Sequence, residues 1–264
     1  MNIKFLPALI VTCLSGATFA GEFTGIHPLQ SDRFTFGAGS YFQDVSSDFS
    51  VVRPDGGKGS VIDNDSDQST LSLSAIWRIT DKWKLQGEYF DMESSNNRAF
   101  SPSIGNLEFA GTIDTGVNAD VARLFLGYSF LKSQNSEIGV GAGLHYLSLD
   151  VSAKGTASVN GAPFAGVSKS VIDDWAILPN IGVYANYAFS PKWFIGGRVD
   201  WLDATIDVYN GSIWNAEAMV QYQMFDHMGI GMAYRYVNFG VEKNDDWQLD
   251  IETTGPVLFV TGNF

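Results

Sequence analysis

Large apolar residues alternate with small or polar ones along most of the chain, most clearly in residues 229–236. A period of two residues is that of a β-strand, whose successive side chains point to opposite faces. One face ends in tyrosines and the other carries glycines and an arginine, which indicates lipid on one side and a polar interior on the other. The bulky positions are Ile230, Met232, Tyr234 and Tyr236, and the intervening ones are Gly229, Gly231, Ala233 and Arg235.

The same alternation recurs between short turns and longer Gly-, Asp- and Ser-rich segments. It predicts an all-β fold, a closed antiparallel up-and-down transmembrane β-barrel over residues 33–264, with ten strands and both ends on the same side. Eight strands remain open if the first hairpin or the one at Asn210-Gly211 is misread. The expected turns are 80–82, 132–136, 190–192 and 226–227, and the expected long loops include 46–68, 94–118 and 152–171.

The N-terminal residues have the composition of a secretory signal peptide. Lys4 precedes an apolar run, and Thr18-Phe19-Ala20 forms a small-residue cleavage site, so residues 1–20 are predicted to be removed. Residues 21–32 then form a periplasmic N-terminal segment. Cys13 would be the lipidated residue of a lipoprotein, but the apolar run before it is short and Thr12 is a poor neighbour, which favours simple cleavage.

Composition narrows the location and the partners. A mean hydropathy of +0.01 suits a chain whose apolar residues occupy alternate positions. The formal net charge of −13 argues against nucleic acid as a partner. We therefore expect a protein of the Gram-negative cell outer membrane, secreted across the inner membrane, in contact with outer-membrane lipid and lipopolysaccharide.

Eight charged residues fall at inward positions of the predicted strands. They form either a constriction that selects ions or a neutralising network that fills the lumen, and the cost of an unpaired buried charge favours the network. Five bases face three acids, so water or a loop carboxylate should enter. The residues are Arg78, Lys84, Glu88, Arg123, Arg198, Asp200, Glu217 and Arg235.

In several strands the alternation of apolar and polar residues shifts by one position after an aromatic residue, so the apolar side chains move to the other face of the strand. Without a β-bulge, the residues after the aromatic position point inward, and the outer half of the lumen is a small apolar core or an apolar ligand pocket. With a β-bulge, the same residues stay on the outer surface. A narrow barrel usually fills its interior with side chains, which favours a core or a bulge over a ligand pocket. The candidates are Phe90, Leu147, Leu149, Leu202, Val237 and Phe239.

Metal and catalytic signals are weak. The acidic run 63–67 lacks the Gly and Glu that a calcium-binding EF-hand loop needs at Gln68 and Ser74, so we expect no metal and no cofactor. The pairs Asp173-Asp174 and Asp245-Asp246 invite comparison with ten-stranded outer-membrane aspartate-type proteases, whose chemistry needs a rim histidine.

None of the three histidines has a suitable position for such a site. His27 lies near the leader, His227 lies in a turn, and His145 lies within a strand at the wrong spacing from Ser148 for a lipid A deacylase motif. We therefore predict that the protein is not an enzyme.

The C-terminal Phe264, preceded by Leu258 and Val260, resembles the signal that the outer-membrane assembly machinery reads. The segments Leu178-Pro179-Asn180-Ile181-Gly182 and 229–234, with the hairpin 63–89, resemble a group of uncharacterised proteobacterial outer-membrane β-barrel proteins. The resemblance implies location and architecture and supplies no catalytic residues.

These patterns favour a non-enzymatic envelope protein with a structural role or with interactions made by its loops. The alternative is a narrow porin-like channel, or a conduit for ions, small solutes or small apolar molecules.

Overall fold

The computed structural model describes residues 24–52, 58–100, 103–104, 107–159, 162–206, 209–243 and 247–264, nearly all of them in antiparallel strands. Within this part of the chain, no helix is both long and apolar enough to cross a membrane. The elements are α1 (Pro28–Ser31), β1 (Phe34–Val52), β2 (Lys58–Arg78), β3 (Trp83–Phe100), β4 (Ser103–Ile104), β5 (Leu107–Lys132), β6 (Ser136–Val159), β7 (Ala162–Ala188), β8 (Trp193–Ile206), β9 (Tyr209–Phe225), β10 (Met228–Lys243) and β11 (Trp247–Asn263).

Ten of these strands close into a barrel. Neighbours in sequence pair with one another, β11 pairs with β1, and β3 pairs with β5; the two-residue β4 adds only a short ladder to the start of β5. Closure pairs the backbone groups of each barrel strand with neighbours on both sides, as lipid requires. The prediction of a closed ten-stranded antiparallel barrel is confirmed, and the eight-stranded alternative is wrong.

The two ends of the barrel differ. At one, which we call the turn end, lie the four short connections and both ends of the barrel wall, where the Phe34 N–H donates to the Phe264 carbonyl at 2.8 Å. At the other, the hairpin end, β1–β2, β3–β5, β6–β7, β8–β9 and β10–β11 are joined. Short periplasmic turns and longer outer connections are usual in this architecture, so a periplasmic turn end stays our prediction.

The long loops expected from the sequence are largely strand. Pairing continues to Val52↔Lys58, to Phe100↔Gly111 and to Val159↔Ala162. Small polar side chains keep a strand out of lipid but do not prevent its backbone from pairing, so the ladders continue into water. A span takes about 10 residues; β7 has 27, so the hairpin end projects well beyond the membrane.

One predicted turn is displaced. Asn210 and Gly211 are paired with Thr205 and Ala204 inside the β8–β9 ladder, so they do not form the turn of this hairpin. Residues 207–208 lie outside the described residues. The signal peptide at 1–20 and Cys13 also lie outside them.

Large apolar side chains are exposed on the outer surface of the half of the barrel nearer the turn end. Aromatic pairs stack within this surface, such as Phe34 with Trp77 at 6.3 Å and Tyr146 with Trp175 at 6.2 Å between ring centroids. Exposed apolar residues bounded by aromatic rings are the signature of a lipid-facing band. The band includes Phe36, Leu124, Leu126, Val140, Leu144, Ile181, Val183, Ile195, Ile230, Met232, Leu258 and Val260.

No bulge resets the strands where the apolar phase shifts. The β5–β6 ladder runs without interruption through Ala122↔Tyr146 and Val121↔Leu147, and the β10–β11 ladder through Tyr236↔Thr254 and Phe239↔Ile251. The bulge alternative is therefore wrong, and the apolar residues beyond the aromatic rim point into the barrel.

Candidate functional site in the barrel lumen

The lumen near the turn end contains a buried charged cluster. Arg78 of β2 donates to both carboxylate oxygens of Glu137 of β6, at 3.0 and 3.4 Å. Lys84 of β3 lies 3.5 Å from the same carboxylate, and the Ser129 hydroxyl donates to it at 2.5 Å. Glu137 thus balances one of the two buried cations that face it.

A second cluster crosses the middle of the lumen. Arg123 donates to Asp200 at 2.6 Å, and Arg198 donates to Asp200 at 3.1 Å and to Glu88 at 2.5 Å. On β10, Arg235 donates to Glu217 of the neighbouring β9 through Nε at 2.8 Å and through Nη2 at 2.5 Å. We call these six residues the mid-lumen network; three guanidinium groups balance its three carboxylates.

An apolar layer fills the lumen on the hairpin side of this network. Tyr41 and Phe90 meet edge to face at 5.7 Å, and the Arg235 guanidinium lies 4.9 Å from the Phe90 ring centroid, so the network and the apolar layer are in contact. The buried members are Tyr41, Val45, Phe90, Met92, Val117, Ala119, Val121, Leu147, Leu149, Leu178, Ile213, Ala233, Val237, Phe239, Leu249, Ile251 and Val257, with Leu202 packed against them.

Residues 24–32 fold against the turn end, and we call them the plug. The Leu29 carbonyl accepts from Arg78 at 3.1 Å, the Gln30 carbonyl accepts from Lys132 at 3.0 Å, and the Ile26 N–H donates to the Gln134 carbonyl at 2.9 Å. The expectation of a simple lead-in at 21–32 misses this role. The plug presents both an apolar side chain, Leu29, and polar groups to a lumen whose lining is likewise partly apolar and partly polar.

Two groups at the plug have shifted pKa values. Burial lowers the pKa of His27 to about 4, against the opposing effect of a hydrogen bond to the Lys192 backbone. Partial burial disfavours the Asp81 carboxylate, but hydrogen bonds from the Thr24 backbone and from Lys132 outweigh it and hold the pKa of Asp81 below its usual value. At neutral pH the plug thus presents a neutral imidazole and is bound to an ionised aspartate.

Between the plug and the mid-lumen network lies a cavity of about 100 Å³. Its wall includes Lys84, Glu88, Arg198, Glu217 and Arg235 as well as amide and hydroxyl side chains. A cavity of this size with charged and polar groups in its wall has room for several water molecules.

The structure brings all eight predicted inward charges into the lumen. It divides them between the two clusters and adds a fourth carboxylate, Glu137, which is not among the inward charges predicted from the sequence. Extending the alternation of Gly139, Gly141 and Gly143 by one step towards the turn would have placed Glu137 inside. The six predicted apolar residues lie in the apolar layer, where Tyr41 was missed; Phe125, also missed, is buried beside Arg123, 4.4 Å from its guanidinium.

All three histidines lie away from the hairpin end. His27 is in the plug, His227 is at a turn, and His145 is buried with its Nε2 3.2 Å from the amide nitrogen of Asn215. Among the described residues, no group of His, Cys, Asp and Glu has the arrangement of a metal site. The side chains of Asp63, Asp173, Asp174, Asp245 and Asp246 lie outside the described part.

The chain is similar, to different degrees, to solved structures of outer-membrane proteins. The outer membrane protease OmpT from Escherichia coli has a TM-score of 0.63 and 12% identity, with 94% of this chain and 100% of that chain covered. The toluene transporter TodX of Pseudomonas putida has a TM-score of 0.36 and 12% identity, covering 93% and 95%. Neisserial surface protein A has a TM-score of 0.30 and 14% identity, covering 88% and 97%. No curated protein sequence matches the chain.

The likeness to OmpT corrects one expectation. The absence of a rim histidine from a ten-stranded envelope barrel predicts a non-enzyme, but OmpT is a protease on a barrel of this fold. The prediction that this protein is not an enzyme is therefore wrong as an inference from its architecture. At 12% identity the likeness shows the fold alone.

A family model adds sequence evidence. The model described as YfaZ precursor matches residues 107–255, more than half of the chain, from β5 into β11. Together with the barrel fold, this match confirms the outer-membrane location with a cleaved signal peptide, although the cleavage position after residue 20 stays a prediction. The chain belongs to the YfaZ precursor family of outer-membrane β-barrel proteins.

Proposed function

We propose that this protein is a closed barrel of a proteobacterial outer membrane that acts at the cell surface through its projecting hairpins. The observation that carries the proposal is the filled lumen. The plug, the two charged clusters and the apolar layer follow one another along the barrel axis, and most side chains of the charged clusters and of the apolar layer are buried. A lumen closed in this way favours a role as a rigid support for the hairpins over a role as a channel for solutes.

The outer face of the hairpins has its own chemistry. Asp44 pairs across the strands with Asp67, and Ser46 lies between Asp65 and Glu252, so carboxylates are neighbours on the exposed face of β2, β1 and β11. Like charges in adjacent cross-strand positions repel. Divalent cations shared with lipopolysaccharide phosphates would relieve this repulsion, so we propose lipopolysaccharide as a partner of this face.

The first experiment is single-channel recording of the refolded barrel in a planar bilayer. We expect no steady conductance, because each layer of the lumen obstructs the path. Steady openings whose size or selectivity changes in Arg235→Ala would contradict the proposal and support the narrow-channel hypothesis. Arg33→Ala, which lies at the turn end outside the mid-lumen network, is the matched control.

The lipopolysaccharide contact is tested by co-purification with and without magnesium. We expect the double variant Asp44→Asn/Asp67→Asn to retain less lipopolysaccharide in magnesium than the wild type, and chelation to abolish the difference. Asp226→Asn, an exposed carboxylate of the turn end, should behave like the wild type. Equal retention by all three proteins would exclude this face as the contact.

We also propose that Phe264 is part of the signal for the assembly machinery. Its ring is exposed and stacks on His227 at 6.0 Å, while its backbone pairs with Phe34. Phe264→Ala should lower the amount of folded barrel in cells but leave the stability of the refolded barrel nearly unchanged. An equal loss in both measurements would assign Phe264 a structural role instead.

A further inference from the structure

The buried charges at the turn end do not balance. Arg78 and Lys84 face the single carboxylate of Glu137, and the two cations have side-chain exposures of 1% and 3%. The neighbouring Lys132 has its own partner, Asp81, at 3.1 Å. The mid-lumen network is neutral. One positive charge is therefore left over among the described residues of the lumen.

The excess charge belongs to Lys84. Arg78 takes both Glu137 oxygens at hydrogen-bonding distance and also donates to the Leu29 carbonyl. Lys84 keeps only the longer 3.5 Å approach to Glu137, and its ammonium lies 3.7 Å from the centroid of the Tyr184 ring. An ammonium has three donors, and this arrangement engages one of them with a carboxylate.

Lys84 also lines the cavity of about 100 Å³. Gln86, two residues along β3 and therefore on the same face, lines it too, as do Ser72 and Ser74 of the neighbouring β2. Amide and hydroxyl groups can donate hydrogen bonds to an anion. Glu88, the nearest carboxylate further along β3, is engaged by Arg198 at 2.5 Å and lies about 13 Å along the strand from Lys84.

We propose that this cavity binds one small monovalent inorganic anion, such as chloride, beside Lys84. A halide with a few water molecules fits the volume, neutralises the excess charge and accepts from the Lys84 ammonium, only one of whose donors faces Glu137. The cavity is too small for an organic solute of the size that porins pass. This site lies inside the lumen and is independent of the hairpin surface that carries the proposed function.

The test compares the thermal unfolding of the purified barrel in chloride and in gluconate at constant ionic strength and pH. We expect the midpoint of the wild type to rise by a few degrees in chloride and to keep rising with the logarithm of its concentration, as linkage requires. Lys84→Met should unfold at the same temperature in both salts. Lys82→Met, on the exposed turn beside it, should keep the full chloride effect.

A crystal of the wild type soaked in bromide gives a second measurement that needs no variant. We expect an anomalous peak beside the Lys84 ammonium. A wild type that unfolds equally in both salts, a chloride effect that survives Lys84→Met, or a bromide-soaked cavity without an anomalous peak would each overturn the proposal. The first of these results would instead indicate an uncharged Lys84 or a charge balanced by water alone.

Discussion

Arg78 and Glu137 form an ion pair at 3.0 Å in which the two side chains are 1% and 0% exposed. They come from β2 and β6, which do not pair with each other in the wall, so the contact spans the lumen. The Leu29 carbonyl of the plug accepts from the same guanidinium at 3.1 Å. This pair therefore links two parts of the wall and the plug at a single point.

Glu137→Gln is expected to destabilise the barrel strongly. The substitution leaves Arg78 and Lys84 buried without a carboxylate, and the loss of one partner of a buried pair costs about 3–5 kcal/mol. Denaturant unfolding of the refolded barrel, followed by circular dichroism, measures the change. Glu93→Gln, on the exposed face of β3, should change the free energy of unfolding by about 0.5 kcal/mol or less.

A second variant separates charge from packing. Arg78→Met/Lys84→Met/Glu137→Leu removes the pair together with Lys84, the other cation that faces Glu137, and keeps a similar volume, so it should recover much of the stability lost in Glu137→Gln. If both variants are equally unstable, the site depends on hydrogen bonds to the plug and to Ser129 rather than on charge balance.

The number of strands and the inward charges could be predicted from the sequence because side chains alternate between the two faces of a strand. Once the face of one residue in a strand is known, the faces of all the others follow. The same rule predicted that Arg235 and Glu217 face inward, but their 2.5 Å contact depends on the register of β9 against β10, which periodicity does not specify. The plug was missed because Leu29 lies in a short segment with no periodicity. The long hairpins were missed because their polar composition resembles that of loops.

Phe239→Ala tests the packing of the apolar layer. Phe239 is 1% exposed and meets His145 at a ring-centroid distance of 6.0 Å, so truncation leaves a cavity that the barrel wall cannot collapse to fill. The expected loss is about 3–5 kcal/mol in the free energy of unfolding. Phe130→Ala removes the same atoms from a side chain that is 55% exposed on the lipid face and should cost about 1 kcal/mol or less. Similar losses in the two variants would argue against a packed lumen.

Gly255 occupies a backbone position that excludes side chains. Its φ is +153°, and a Cβ there would lie 1.9 Å from the Phe42 carbonyl oxygen, where the β1–β11 ladder is interrupted between Tyr41↔Val257 and Asp44↔Thr254. Gly255→Ala should cost at least about 1–3 kcal/mol, because the obstructing atom belongs to the backbone. Gly87→Ala, whose Cβ would have its nearest neighbour at 4.0 Å, is the matched control and should fold as well as the wild type. Urea midpoints of the two variants give the comparison, and a tolerated Gly255→Ala would mean that the two strands can separate there.

The docking of the plug should weaken in acid through His27. Burial lowers the pKa of this imidazole from 6.5 to about 4, so the docked plug holds it neutral, whereas the released plug binds a proton below pH 6.5. Stability conferred by docking is therefore complete above about pH 6.5 and declines as the pH falls from there to about 4. Amide exchange of Ile26, whose N–H donates to the Gln134 carbonyl, should accelerate over this range.

In the docked plug the His27 Nδ1 accepts from the Leu29 N–H at 3.2 Å, and asparagine can keep that N-cap acceptor without titrating. His27→Asn should therefore show Ile26 exchange whose protection stays constant between pH 6.5 and 4, after correction for the intrinsic exchange rate. Protection that falls equally in both proteins would assign the acid sensitivity to another group, with Asp81 the first to examine because its carboxylate accepts from the Thr24 N–H of the plug.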